Sequence, residues 1–107
     1  MIITIFRARV RLEANDEYVR LAARIGELAQ QAPGYISHKT FVADDGERLM
    51  IVEFESERAQ RAWSERREHM EAKLKGRADF YAQYRIQVCT LQRESSFPSR
   101  VPLAALG

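Results

Sequence analysis

The chain has 107 residues, 46% of them hydrophobic and 30% charged, the composition of one ordinary globular domain with a single modest core. The formal net charge is only +2, and although 14 of the 17 cations are Arg, Glu55, Glu57, Glu65 and Glu68 interleave with Arg58, Arg61, Arg66 and Arg67. That pattern is a solvated face, not the undiluted basic stripe of a nucleic-acid binder, and no stretch could span a membrane.

A lone cysteine, Cys89, excludes an intramolecular disulfide and fits a reducing compartment. Its surroundings, "RIQVCTLQ", suggest a small buried apolar residue in a strand. The opening "MIITIFRARV" has too short an apolar run for a signal peptide. The expected location is the cytoplasm.

In chain order, "IITIFRARVRL" (2–12) is rich in β-branched residues and partly alternates, which predicts a strand. Asn15 or Asp16 is the expected N-cap of a helix whose apolar positions are Tyr18, Leu21, Ala22, Ile25, Leu28, Ala29 and Ala32. Pro33-Gly34 ends it. "YISHKTFVA" (35–43) and "RLMIVEFE" (48–55) are two strands joined by a hairpin turn centred on Asp45-Gly46. Ser56 caps a second helix with Ala59, Ala62 and Trp63 on its inner side. Charge dominates between Trp63 and Met70, so a bend or break is expected over 64–68. "YRIQVCTLQ" (84–92) is the last strand. We divide the chain into a domain over 1–94 and a tail over 95–107, which carries two prolines and little periodicity.

The order β-α-β-β-α-β predicts an α+β, ferredoxin-like fold with a four-stranded antiparallel sheet. Parity sets Leu49, Ile51 and Glu53 on one face and Met50, Val52 and Phe54 on the other. Likewise Ile86 and Val88 oppose Cys89 and Leu91. Both faces are apolar, so both should be buried, and two helices can cover only one. The remaining face is expected to pack on a second copy, giving a twofold homodimer through sheet-to-sheet contact.

Three stretches resemble the antibiotic biosynthesis monooxygenase superfamily of dimeric α+β barrels: "VEFES" (52–56), "AWSERREHMEAK" (62–73) and "GRADFYAQYRIQVC" (76–89). The resemblance covers about residues 1–94. It implies a pocket between sheet and helices, and oxygenation of quinol- or anthrone-like aromatics without metal or flavin. No cofactor is therefore expected, and the partner is an aromatic small molecule. Relatives that degrade haem are implied to use an Asn on the first strand, the Trp, and a His ten residues after it. Here Phe6 stands where that Asn would be and Lys73 follows Trp63 by ten. Haem binding is thus a third option behind turnover and behind a non-catalytic, ligand-binding or structural homodimer of the same fold.

Trp63 has two readings, core packing and a pocket wall that stacks on a flat ligand. On a continuous helix His69 would lie about 120° from it, with Trp63, Met70 and Leu74 forming the inner stripe. His69 then reads as a surface residue, or as a general base if the helix breaks. His38 reads as an edge-strand polar residue, on the face opposite Tyr35. Two lone histidines make no metal site. Glu53 and Arg7 are candidates for an ion pair lining the pocket or the dimer seam, and Tyr84 for a phenol at the pocket mouth. The expected catalytic residues are His69 and Trp63. The expected ligand contacts are Trp63, Glu53, Arg7, Phe6 and Tyr84.

Overall fold

The computed structural model describes residues 1–98. Its elements are β1 (Ile2–Val10), a 3-10 turn (Leu12–Ala14), α1 (Asn15–Gln30), β2 (Tyr35–Val42), β3 (Arg48–Phe54), α2 (Glu57–Ser64), α3 (Arg67–Lys75), a π-helical turn (Gly76–Phe80) and β4 (Tyr81–Thr90). The four strands form one antiparallel sheet in the order β2-β3-β1-β4. This is the expected ferredoxin-like plan, with its second helix divided in two. The strand ends at Thr90, and residues 99–107 of the expected tail lie outside the described residues.

Register assigns the two faces. Thr4 pairs with Val52 and Val88, and Phe6 with Met50 and Ile86, while Ile5 pairs with Ile51 and Gln87. Directly paired residues share a face. Ile2, Ala8, Val52 and Phe54 are buried on the first face, beneath Ala29, Ala32 and Trp63. On the second face Ile3, Ile5, Leu49 and Ile51 are only half-buried. A large aromatic such as Phe54, 1% exposed, contributes roughly 2–3 kcal/mol by leaving water. The expectation that both faces of the last strand be covered is not met within one chain. β4 is an edge strand, so Ile86 and Val88 remain 47% and 53% exposed, and Cys89 is exposed rather than buried.

Local chemistry explains the ends of the elements. Ser56 is extended, and its hydroxyl accepts from the Ala59 N–H at 3.1 Å, as expected of an N-cap. Asn15 does not cap α1. A 3-10 turn precedes the helix, and the Asn15 side-chain oxygen Oδ1 instead accepts from Arg48 at 3.0 Å. Gly46 closes the β2–β3 hairpin at φ +90°, a backbone region that L side chains avoid.

Two irregularities shape the space between sheet and helices. A shift of register between Tyr35 and Ser37 puts Tyr35 on the face of Phe54 and His38, against simple parity. Between α2 and α3, Glu65 is the last αR residue and Arg66 is extended at φ −61°, ψ 143°. The break lies within the expected window. It turns α3 so that Met70 and Leu74 are 43% and 63% exposed. The expected inner stripe of Trp63, Met70 and Leu74 therefore does not exist, because it assumed one helical phase across residues 64–68.

Candidate active site

A cavity of about 190 Å³ lies between the sheet and the helices. It is smaller than the ~300–1,000 Å³ pockets that take drug-sized ligands, and suits a small ring system. Phe6, Met50, Val52 and Phe54 supply its sheet side, Tyr18, Leu21 and Ile25 of α1 one wall, and Trp63, His69 and Lys73 the other. Half-exposed Tyr84 and Ile86, with exposed Arg77, mark its mouth. Among the described residues no Asp or Glu lines it.

Trp63 is buried at 6% exposure and also walls the cavity, so packing and lining coincide. The imidazole of His69 stacks on its indole, with ring centroids 4.5 Å apart and planes at 26°. The Arg66 guanidinium also packs against the indole, 5.9 Å from its centroid. Nδ1 of His69 lies 3.3 Å from the Trp63 carbonyl oxygen. A carbonyl only accepts, so Nδ1 carries the proton and Nε2 keeps a lone pair. Burial, helped by the charge of Lys73 and opposed by the bond to Trp63, pushes the His69 pKa down to about 4. His69 is accordingly a neutral imidazole at pH 7.

Lys73 donates to the Ser64 carbonyl at 2.8 Å and to its hydroxyl at 2.7 Å, tying α3 back onto the end of α2. Burial and then the charge of Arg77 lower its pKa. Tyr84 accepts from Arg77 Nε at 2.6 Å, and its ring leans on Phe6 at 6.0 Å between centroids. Burial raises the pKa values of Tyr18 and Tyr81, whose rings meet edge to face at 5.8 Å. Both phenols stay protonated at neutral pH.

His38 lines the cavity too, with Nδ1 2.6 Å from the Tyr35 hydroxyl. Its ring fits because residue 26 is glycine: a Cβ there would stand 3.1 Å from His38 Nε2. Simple alternation put Tyr35 and His38 on opposite faces, and only the bulge unites them. Nothing local in the sequence pointed to Ser64 and Lys73, which meet across the helix break.

Of the residues that the sequence singles out, Trp63, His69, Phe6 and Tyr84 line the cavity. Arg7 and Glu53 do not. They lie on the opposite sheet face, as the strand parity of Ile3, Ile5, Leu49 and Ile51 requires. Nor do they pair with each other. Arg7 binds Glu47 at 3.0 Å, and Glu53 accepts from the Ser37 hydroxyl at 2.7 Å. Among the described residues no group of three or more His, Cys, Asp or Glu stands close enough to hold a metal ion.

Sheet, helices and cavity together define a ferredoxin-like α+β domain with a ligand-sized pocket between its layers. The chain belongs to the antibiotic biosynthesis monooxygenase family, whose profile matches residues 1–74. It is 30% identical over 88 residues to the protein YqjZ of Bacillus subtilis (strain 168), covering 82% of this chain and 77% of that one. Among solved structures it is similar to SnoaB, a cofactor-independent oxygenase from Streptomyces nogalater, with a TM-score of 0.75, 17% identity, and coverage of 92% of this chain and 97% of that one. It is also similar to Rv0793 from Mycobacterium tuberculosis, with a TM-score of 0.79, 16% identity, and coverage of 89% and 98%. No helix among the described residues is long and apolar enough to cross a membrane.

Proposed function

We propose that this protein is an oxygenase that holds a small electron-rich aromatic, of quinol or anthrone type, against Trp63 and lets it react with O2 without a bound metal or flavin. The observation that carries the reading is the Trp63–His69 stack on the wall of an apolar cavity. Trp63 presents a flat wall to a flat ligand. Nε2 of His69, fixed as an acceptor by the bond at Nδ1, takes the proton of a quinol hydroxyl or, in an anthrone, of the ring CH2, and returns it as the departing oxygen leaves as water. The resulting substrate anion transfers electrons to O2. For an anthrone the balance is a ring CH2 plus O2 giving a ring carbonyl plus water: carbon is oxidised, one oxygen atom is retained, and the other leaves reduced as water. A neutral imidazole in a dry site is a weak base, so the substrate must be acidic in its own right. The imidazolium so formed sits beside the anion it created, which stabilises both. Tyr18, Tyr81 and Phe6 exclude water around them.

The family resemblance supports this chemistry, and the fold likeness to SnoaB is consistent with it. Oxygen uptake over a panel of dihydroxynaphthalenes and anthrones tests it. Uptake by the native protein, reduced in His69→Gln and Trp63→Phe, is the expected result. Ligand binding across the panel with no uptake sinks the oxygenase reading and leaves a binding protein of the same fold.

The working unit we propose is a homodimer packed through the second sheet face. Ile3, Ile5, Leu49 and Ile51 form its apolar centre, extended by Phe41, which is 45% exposed. Two of the charged groups on this face already have partners, Arg7 in Glu47 and Glu53 in the Ser37 hydroxyl, which lowers the desolvation penalty of covering those two.

A further inference from the structure

The cavity has a charge asymmetry that the proposed proton transfer does not use. Two cations, Lys73 and Arg77, line it, and among the described residues no acid does. They lie four residues apart, Lys73 in α3 and Arg77 in the π-helical turn that follows it, both on the cavity wall and close enough for the Arg77 charge to act on Lys73. No carboxylate stands within 4.0 Å of either among the described residues, whereas most other cations near α3 are paired: Arg67 with Glu71, and Lys75 with both Glu17 and Asp79.

The terminal donors of Arg77 are also held ready. Arg77 uses Nε on the Tyr84 hydroxyl, at 2.6 Å, and rests its guanidinium 5.8 Å from that ring centroid. Its two terminal nitrogens have no partner among the described residues. They form the planar fork that matches the two oxygens of a carboxylate, whereas a single phenolate oxygen engages only one donor well. Lys73 is immobilised by its two bonds to Ser64, and its third N–H faces the Met70 sulfur at 4.0 Å, so toward an anion it offers chiefly its fixed charge. Two like charges fixed side by side and partly out of water repel. The pKa of Lys73 is lowered first by burial and then by the Arg77 charge, with Glu65 opposing. An anion between the two cations relieves the repulsion.

We propose that the ligand of this cavity is an aromatic carboxylate, its ring against Trp63 and its carboxylate held at the mouth by Arg77 and Lys73. The proposal rests on the reading that the cavity takes an aromatic ligand, and adds the substituent that selects it. Position agrees with this. Arg77 and Tyr84 lie at the exposed rim, where a carboxylate keeps part of its hydration, while the ring occupies the apolar interior.

The test compares a hydroxynaphthoic acid with its methyl ester, which has the same ring and no charge. Binding is read from the fluorescence of the single tryptophan, Trp63, and turnover separately by oxygen uptake. The native protein should bind the acid about ten- to a hundredfold tighter than the ester, the gain expected of one charge-assisted, bidentate contact. That ratio should shrink with rising salt. Arg77→Gln and Lys73→Gln should each drive the ratio toward one, and Arg77→Lys should restore it only in part, because a point charge lacks the fork. Far-UV circular dichroism confirms that each variant is folded. Equal binding of acid and ester by the native protein, or no binding of the acid, overturns the proposal. So does a ratio unchanged in both Gln variants. Selective binding of the acid without oxygen uptake retains the carboxylate site and removes the oxygenase, whereas uptake with acid and ester alike does the reverse.

Discussion

His69 stacks on Trp63, six residues before it, with ring centroids 4.5 Å apart. On one continuous helix the two would diverge by about 120°. The contact exists because Arg66 leaves the helix and α3 restarts at Arg67, bringing the imidazole back over the indole. A buried indole and a neutral imidazole thereby share one wall of the cavity.

The pH response of that pair should be visible. Protonated imidazole quenches indole emission, so Trp63 fluorescence should fall on acidification with a midpoint near the His69 value of about 4, well below the ordinary 6.5. His69→Gln should abolish the step. Stability responds with a definite sign. The folded pKa lies below the unfolded one, so as pH falls the unfolded chain takes up the proton first. Stability contributed by neutral His69 is complete above about pH 6.5 and is lost progressively toward about pH 4, by up to roughly 2 kcal/mol once partial solvent access is discounted. Urea midpoints at pH 7.5 and 5.0, native against His69→Gln, check it.

Turnover should separate the two roles. Removing the base in His69→Gln should lower kcat by about 10²–10⁴-fold, the usual scale for one acid–base group, with less effect on KM. Trp63→Phe should mainly raise KM and lower stability by about 1–2 kcal/mol, and Trp63→Ala should cost about 3–5 kcal/mol. Steady-state oxygen uptake and denaturant melts measure the two effects. A Trp63→Phe enzyme with native KM argues that the indole does not touch the ligand.

Gly26 and His38 should be energetically coupled. Alanine favours a helix over glycine by about 1 kcal/mol, but its Cβ at position 26 would press on His38 Nε2 at 3.1 Å and disturb the 2.6 Å contact with Tyr35. Gly26→Ala should therefore stabilise a His38→Ala background by about 1 kcal/mol and the native background by less. A double-mutant cycle by urea denaturation gives the coupling. Additive effects would mean the imidazole moves aside freely.

The second sheet face supplies the fourth prediction. Ile51→Lys puts a charge at the centre of the proposed seam, beside Ile3, Ile5 and Leu49. Sedimentation at micromolar concentration should change from dimer to folded monomer. If the native protein sediments as a well-folded monomer, the seam is wrong.

The fold was legible because its signals are local. Helix spacing from Tyr18 to Ala32, the Asp45-Gly46 turn and the alternation of Met50, Val52 and Phe54 each act over a few residues and agree with one another. The site was legible only in part. Phe6, Trp63 and Tyr84 line the cavity, carried there by strand parity and helix phase. Arg7 and Glu53, offered for the pocket or the dimer seam, lie away from the cavity on the sheet face of Ile3, Ile5, Leu49 and Ile51, where strand parity puts them. His38 was undervalued because one extra residue near Ser37 reverses parity, and the residues themselves do not announce a bulge.

What the sequence by itself determined is therefore the order of elements, the two apolar faces and the presence of a weak helical stretch between Trp63 and Met70, all properties of short-range periodicity. Only the tertiary structure decided how that stretch resolves. A break at Arg66 resets the helical phase of α3, and it brings Lys73 onto Ser64, nine residues apart. It also turns Met70 outward and lays His69 on Trp63. A single pair of backbone angles sets those contacts, and their energy comes from packing on the sheet rather than from the propensities of the residues that bend.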